Sequence, residues 1–520
     1  MDSTLSSRPL HPLLIPELLF KAGQLLDLPS VIRCLRVCRL WQATLEPLIW
    51  EVIAPIVTGY PSMPYAYWPP ADVIPAKAHL IRCLLRPPLS ELNPFLSTCT
   101  GLTRLDIDTT RQTSMDDVAP LVQQNYNSLR SMTIKLDTYR FESWSRLTKR
   151  LFSDGLVFDL PNLESFSATA WEVRDHEGPK LLQMMQRLKD ISLDRCSIPD
   201  IYMVAAPVDE PADQSLSMED GFDKQHTARV RTFQFTKEPV LPTGIQFKNL
   251  EKLQIEHTNI HPKTLAAILT HSPRLWLFSW QLHRNSDMQL ILNHLLQDPN
   301  ADGPSGLSTI VNLHFVGRNQ TKDALPTFLQ LLTNLHTVSF HSSDICELGV
   351  FTLLDEYQSC KRSTLIQYLD LTSCNSINSG HIAMILTGCS ALVGFQSSTV
   401  AKIRDMRDQE HVVELKPWVC LNLEVLSLSF DVGMNASRLD HQAIYNQLAR
   451  LTKLKRYSPG LPTPPPRIPL KLSFKWGLDR LKVLPDLEII GDYCGKISEI
   501  SEEDLLWIRK QWPYMMHRLE

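Results

Sequence analysis

The chain has 520 residues, of which 43% are hydrophobic and 21% charged, with a formal net charge of −4. Because this length exceeds what one compact core ordinarily holds, we expect several domains or a repeat array. The small net charge and the lack of a long basic block argue against nucleic acid as a partner, and no apolar run approaches the roughly 18 residues of a membrane span.

The chain begins with a polar tail, residues 1–10, without the basic-then-apolar pattern of a secretory signal. Its eleven cysteines are scattered and odd in number, which is typical of free thiols in a reducing compartment. We therefore predict a protein of the cytoplasm, the nucleus or both, with no membrane association.

The next segment, residues 11–53, is very rich in apolar residues. Pro16 and Pro29 divide it into three short helical stretches, too small to bury so many apolar side chains by themselves. Its motifs follow the order Ile-Pro, Pro-Ser-Val, Val-Cys-x-x-Trp and Leu-x-Trp. The residues that carry this order are Leu14, Ile15, Pro16, Leu18, Leu19, Leu28, Ser30, Val31, Cys34, Val37, Cys38, Trp41, Leu48 and Trp50.

This segment resembles the F-box, through which substrate receptors of cullin–RING ubiquitin ligases dock onto a Skp-type adaptor. The resemblance implies that those residues contact the adaptor and, through it, a cullin scaffold. Ala22 and Gly23 depart from the family pattern, which has larger apolar residues there, and glycine in a helix interior costs about 0.5–1 kcal/mol relative to alanine. The alternative is a helical cap that only seals the first repeat, since apolar periodicity would look the same in such a cap.

Residues 54–98 are a connector and N-terminal cap, and residues 99–497 repeat the phrase Leu-x-x-Leu-x-Leu at intervals of 20 to 42 residues. Copies begin at Leu102, Leu129, Leu188, Val230, Leu250, Leu275, Ile310, Leu335, Ile366 and Leu423, and weaker ones at Leu163, Leu392, Leu454 and Leu487. The alternating apolar positions indicate a strand, and the stretches 264–269 and 381–386 indicate helices between strands. This pattern predicts an α/β leucine-rich-repeat solenoid with a curved parallel sheet on its concave face.

Three further segments stand out by composition. Residues 199–227 combine prolines with acidic residues and predict a solvated loop, and residues 459–469 predict an extended proline-rich connector. Residues 498–520 contain a helix start at Ser501 and predict a helix that caps the solenoid. Cys374 and Cys389 fit the cysteine-containing repeat common in F-box leucine-rich-repeat proteins and are expected in the core.

Residues between the apolar anchors of each strand are expected on the concave face. They are mixed in charge and rich in hydroxyl and amide groups, which suits a protein target better than a phosphate backbone. The predicted substrate contacts are Lys252, Gln254, Ser279, Gln281, His314, Ser339, His341, Tyr368 and Asp370.

The sequence contains no phosphate-binding glycine loop, no nucleophile elbow and no zinc-protease motif. Cys34 and Cys38 lie one helical turn apart but have no second pair to complete a zinc site. We expect no catalytic residue, metal or cofactor. The leading hypothesis is therefore a non-catalytic, substrate-recognition subunit of a ubiquitin ligase. The alternatives are a repeat scaffold that acts without ubiquitin transfer and, with little support, a repeat protein with hidden catalysis.

Overall fold

The structure, a computed structural model, describes most of the repeat region and the N-terminal helices. The described residues are 15–54, 69–70, 72–87, 95, 98–108, 118–135, 151–152, 156–173, 177–198, 246–281, 288–297, 306–317, 324–341, 343, 345, 347–354, 365–407, 415–458, 469–490 and 501–513. Leu14, the tail 1–10, the acidic segment 199–227, the phrase at Val230 and residues 459–468 lie outside them.

A single parallel sheet of fifteen strands extends along the described chain. Its strands β1–β15 are Val52–Ile53, Cys83–Leu85, Arg104–Asp108, Ser131–Lys135, Ser165–Thr169, Asp190–Asp194, Lys252–Glu256, Leu277–Gln281, Asn312–Val316, Thr337–Ser339, Tyr368–Leu371, Gly394–Ser397, Val425–Ser427, Arg456–Ser458 and Ile489–Ile490. Each strand pairs with the strands before and after it, so spatial order follows chain order. The sheet begins at Val52, ahead of residue 99, where the predicted repeat region starts.

Helices alternate with these strands along most of the sheet. Helices α1–α13 are Pro16–Gly23, Leu28–Cys34, Arg39–Trp50, Ile74–Lys77, Val118–Gln124, Gly178–Met185, Pro262–Thr270, Met288–Gln297, Ala324–Leu331, Glu347–Leu354, Ser379–Gly388, Arg438–Arg450 and Glu502–Gln511. The predicted helical stretches 264–269 and 381–386 lie inside α7 and α11. Proline in the first turn and side-chain caps explain where several helices begin: Pro262 opens α7, and Asn378 caps α11.

The apolar phrase supplies the core between sheet and helices. Leu250, Leu253 and Ile255 of one copy are fully buried, and the same positions are buried in the copies on neighbouring strands. A repeat cannot cover its own apolar face, so stacking of neighbours produces one continuous core. The predicted fold is confirmed: the chain is an α/β leucine-rich-repeat solenoid.

A column of small buried polar side chains joins consecutive repeats just after the strands. Each lies eight residues after the first apolar residue of its phrase. Each bonds to a backbone carbonyl at the strand end of the preceding repeat: Cys196 to Ala168 at 3.5 Å, Thr258 to Leu193 at 3.1 Å, Ser343 to Phe315 at 2.9 Å and Cys374 to Phe340 at 2.6 Å. These bonds satisfy backbone groups that the turn removes from the sheet.

Nothing in the described part of the chain forms a helix both long and apolar enough to cross a membrane.

Candidate protein-interaction surfaces

The first candidate surface is formed by helices α1–α3, which lead directly into strand β1. Pro16 occupies the first turn of α1, and the carboxylate of Asp27 caps α2 by accepting the backbone N–H of Ser30 at 3.1 Å. Hydrogen bonds from Ser30 lower the pKa of Asp27 below its ordinary value, so the cap is anionic at neutral pH. Lys77 of α4 forms an ion pair with Glu46 of α3 at 2.6 Å and ties the helices to the first repeat.

One part of this helical segment belongs to the protein's own core. Leu19, Val31 and Trp50 are at most 8% exposed and lie in the same apolar cluster as the repeats. These three side chains hold the helices onto the solenoid, and their predicted contact with an adaptor stays a prediction. Leu28, Ser30, Cys34, Trp41 and Leu48 are half-buried.

The other part of the segment is open and apolar. Of the large apolar side chains exposed among the described residues, seven fall between residues 15 and 40, a density no other part of the described chain reaches. They are Ile15 (36% exposed), Leu18 (46%), Leu25 (88%), Leu26 (36%), Ile32 (40%), Val37 (61%) and Leu40 (37%). Pro16 and Cys38 are also exposed, while Leu14 lies outside the described residues. We call these seven apolar residues the N-terminal apolar surface.

Four members of this surface were not predicted as contacts from the sequence: Leu25, Leu26, Ile32 and Leu40. Leu25 follows Leu18 by seven residues, the spacing at which side chains return to one side of a helix. That spacing was the available signal, although the helix itself ends at Gly23 and Leu25 lies in the turn after it. The side chains of Arg33, Arg36 and Arg39 are exposed nearby and give the surroundings a positive charge.

The second candidate surface is the face of the sheet that points away from the helices, here called the open face. In-register pairing places residues of neighbouring strands side by side, about 4.8 Å apart. One row contains Gln254, Ser279, His314, Ser339 and Asp370, so the strand register brings five of the nine predicted substrate contacts together. Lys252 and Tyr368 lie in the parallel row beside it.

Exposure separates the predicted contacts on the open face. Ser279 is only 3% exposed, so this short side chain offers a partner little surface, and its role as a substrate contact stays a prediction. His314, His341 and Tyr368 are exposed, and Lys252, Gln254, Gln281, Ser339 and Asp370 are half-buried.

Charged side chains on the strands, or on the residue just before a strand, are paired across strands near both ends of the sheet. Toward the N-terminal end, Glu164 binds both Arg130 at 3.2 Å and Lys189 at 2.9 Å. Lys252 lies 3.7 Å from Asp190 and over the ring of Trp276. Toward the C-terminal end, two further pairs are Lys455 with Glu424 at 2.8 Å and Arg456 with Glu488 at 3.8 Å.

Five of the eight described cysteines are buried. None of the eight described cysteines forms a disulfide with another described residue, and burial raises the pKa of both Cys196 and Cys389 to about 12. Cys374 and Cys389 are buried, as expected of core residues. Within the described residues, no group of three or more His, Cys, Asp or Glu side chains is placed to hold a metal ion.

No protein-family model and no curated protein sequence matches the chain. Among solved structures, an internalin from Listeria monocytogenes superimposes with 13% identity and a TM-score of 0.37, over 73% of this chain and 78% of the internalin. A leucine-rich-repeat protein from Leptospira interrogans superimposes with 14% identity and a TM-score of 0.36, over 82% of this chain and 97% of its own. Similarity at this level carries no information on function.

Proposed function

We propose that this protein is a substrate receptor of a cullin–RING ubiquitin ligase, with helices α1–α3 acting as an F-box that docks onto a Skp-type adaptor. The observation that carries the proposal is the N-terminal apolar surface. A folded chain rarely leaves so many large apolar side chains in water over so short a segment unless a partner covers them. The motif order of residues 15–50 favours the adaptor as that partner.

The two halves of the segment suit this role. The buried residues Leu19, Val31 and Trp50 anchor the helices to the solenoid, so a bound adaptor would be held in a fixed orientation. The exposed apolar residues would form the centre of the interface, and Arg33, Arg36 and Arg39 would lie at its rim. A positive rim favours a partner surface that carries carboxylates.

The solenoid would bind the protein target, and the chain itself would perform no chemistry. Its contribution to ubiquitin transfer would be proximity, because tethering raises the effective concentration of target lysines near the charged enzyme. We place this activity in the cytoplasm or nucleus, where free thiols such as those of the eight described cysteines persist.

Adaptor pull-down with exposed-residue variants tests the docking step. We expect wild type to capture a Skp-type adaptor. Leu18→Asp and Val37→Asp should each weaken capture about tenfold or more, because a charge that replaces an apolar contact at the centre of an interface strongly weakens binding. Both side chains are exposed, so the variants should fold normally. Trp41→Ala is less informative, since Trp41 packs against the core.

Leu439→Asp is the matched control, because Leu439 is 58% exposed on the distant helix α12. It should bind the adaptor like wild type. If wild type fails to bind any Skp-type adaptor, or if Leu18→Asp and Val37→Asp bind as well as Leu439→Asp, the ligase proposal is wrong and a scaffold without ubiquitin transfer is the better hypothesis.

A further inference from the structure

The middle of the open face, strands β8–β12, differs from both ends in its charge. The described residues of these five strands include no lysine or arginine, and their one formally charged side chain is Asp370 of β11. No described Lys or Arg lies within ion-pair distance of Asp370. Several charges near the two ends are paired across strands, whereas this carboxylate has no such partner among the described residues.

The carboxylate of Asp370 is held in a fixed position by its own chain. One oxygen accepts the backbone N–H of Thr372 at 2.9 Å, and the other accepts the hydroxyl of Ser339 on the neighbouring strand at 3.2 Å. An oriented carboxylate binds a cation without first losing side-chain freedom. Asp370 is half-buried, so its pairing with a cation would be less screened than on an open surface.

An exposed aromatic ring lies on the same face, two residues earlier. Tyr368 is 46% exposed, the only large apolar side chain that is exposed on any of the fifteen strands where side chains are described. Its ring packs over the backbone of Gly394: a Cβ there would lie 2.6 Å from the ring. The glycine therefore lets the ring lie across β12. Residues two apart on a strand are about 7 Å apart, so a cation could contact both ring and carboxylate.

His314, two strands from Asp370 in the same row, adds no positive charge at neutral pH. His314 lies within electrostatic range of Asp370, Glu256 and His341. Although part of the His314 side chain is exposed, desolvation by the surrounding face lowers its pKa, and this outweighs the opposite effect of the two carboxylates. Glu256, exposed on β7 at the edge of this region, also has no Lys or Arg partner among the described residues.

We infer that the middle of the open face recognises a basic side chain, Lys or Arg, on a segment of the protein target. The cation would pair with Asp370 and lie against the ring of Tyr368, and uncharged neighbours of the target residue would contact strands β8–β12. Charge complementarity carries the inference: the two ends of the face offer paired charges, and the middle offers a fixed negative charge next to an aromatic surface. This rests on the proposed function only in taking the solenoid as the target-binding part.

The test is to select, from a displayed library of random twelve-residue peptides, those that bind the purified full chain. We expect wild type to enrich peptides with a Lys or Arg at one fixed position. Replacing that residue by norleucine or citrulline, which keep the shape without the charge, should weaken binding. In the protein, Asp370→Asn and Tyr368→Ala should each weaken binding of the selected peptide about tenfold, equivalent to about 1.4 kcal/mol.

Asp190→Asn is the matched control, since Asp190 lies on the same face but is already paired with Lys252. It should bind the peptide within about twofold of wild type, and thermal melting should show that all three variants fold. Enrichment without a basic residue, no enrichment at all, or equal binding by Asp370→Asn and wild type would each overturn the inference. Adaptor binding measured on the same samples separates this failure from failure of the proposed function, because the two surfaces share no residue.

Discussion

At the scale of single residues, Gly23 shows how packing can explain a residue that breaks a sequence pattern. From the sequence it is a departure from the F-box family and an expected weak point of a helix. In the structure it is the last residue of α1, where helix propensity matters little, and it faces α3. A Cβ at this position would lie 2.5 Å from Leu45 Cδ2 and 2.7 Å from Leu48 Cδ1. The glycine therefore permits the close approach of two helices.

We predict that Gly23→Ala destabilises the N-terminal helices by about 1–3 kcal/mol, the usual range for overpacking, because the added methyl group would force the buried Leu45 side chain to shift. Thermal or urea unfolding with a probe in residues 15–54 would measure this. Gly388→Ala is the control: Gly388 also ends a helix, but a Cβ there would meet no atom from another part of the described chain within 4 Å. Equal stability of the two variants would contradict the packing explanation.

At the scale of elements, the small polar side chains after the strands decide how one repeat is joined to the next. Thr258 donates to a carbonyl of the repeat before it and accepts the backbone N–H of Cys196 at 3.2 Å. Ser343 makes the equivalent pair of contacts, accepting the N–H of Gly317 at 3.0 Å. At Thr258 and Ser343 one hydroxyl group therefore both donates and accepts where two turns stack, whereas Cys196 and Cys374 at the equivalent positions donate to the carbonyl of the repeat before them.

Thr258→Val should therefore lower the free energy of unfolding by about 1–3 kcal/mol, because the buried N–H of Cys196 loses its acceptor. Thr270→Val is the matched control. The Thr270 hydroxyl only donates to the carbonyl of Ala266 within α7, on a half-buried helix end, so its loss should change stability by less than about 0.5 kcal/mol. Urea unfolding of both variants would measure the difference, and a Thr258→Val protein as stable as Thr270→Val would exclude the proposed bridging role.

At the scale of the whole molecule, the solenoid is stabilised by contacts between neighbouring repeats, so its ends need covering. Helices α1–α3 cover the first strand. At the other end, α13 is followed at once by Trp512, whose indole N–H donates to the carbonyl of Leu484 at 2.6 Å and whose ring is 3% exposed. The carboxylate of Asp504, also buried, accepts the backbone N–H of Phe474 at 2.9 Å. Helix α13 thus closes the core of the last repeats.

We predict that Trp512→Ala unfolds the C-terminal repeats preferentially. Removal of a buried tryptophan costs about 3–5 kcal/mol, and in a solenoid that loss falls on the nearest repeats first. Amide hydrogen exchange should lose protection in strand β14, Arg456–Ser458, while strand β3, Arg104–Asp108, keeps its wild-type protection. Equal loss in both strands would mean that the described solenoid unfolds as a single unit.

The apolar phrase made the repeat strands predictable, because the alternation of buried and exposed residues can be recognised within each copy of the phrase. Thirteen strands, β3–β15, follow the phrases that the sequence marks. Strands β1 and β2 were not predicted, since Trp50-x-x-Ile53 and Ile81-x-x-Leu84 lack the third apolar position. The burial of Ser279 could not be predicted from the sequence either, because it depends on which strands lie next to β8 in the sheet.

The sequence by itself determined the class of fold, the repeat strands and the unusual apolar content of residues 11–53. All of these follow from composition and periodicity along the chain. Only the tertiary structure decided which of those apolar residues are buried in the core and which are exposed, and which carboxylate on the open face has no Lys or Arg partner among the described residues. Burial and charge pairing depend on residues brought together from distant positions, such as Leu45 against Gly23 or Lys189 against Glu164, and no local pattern specifies those encounters.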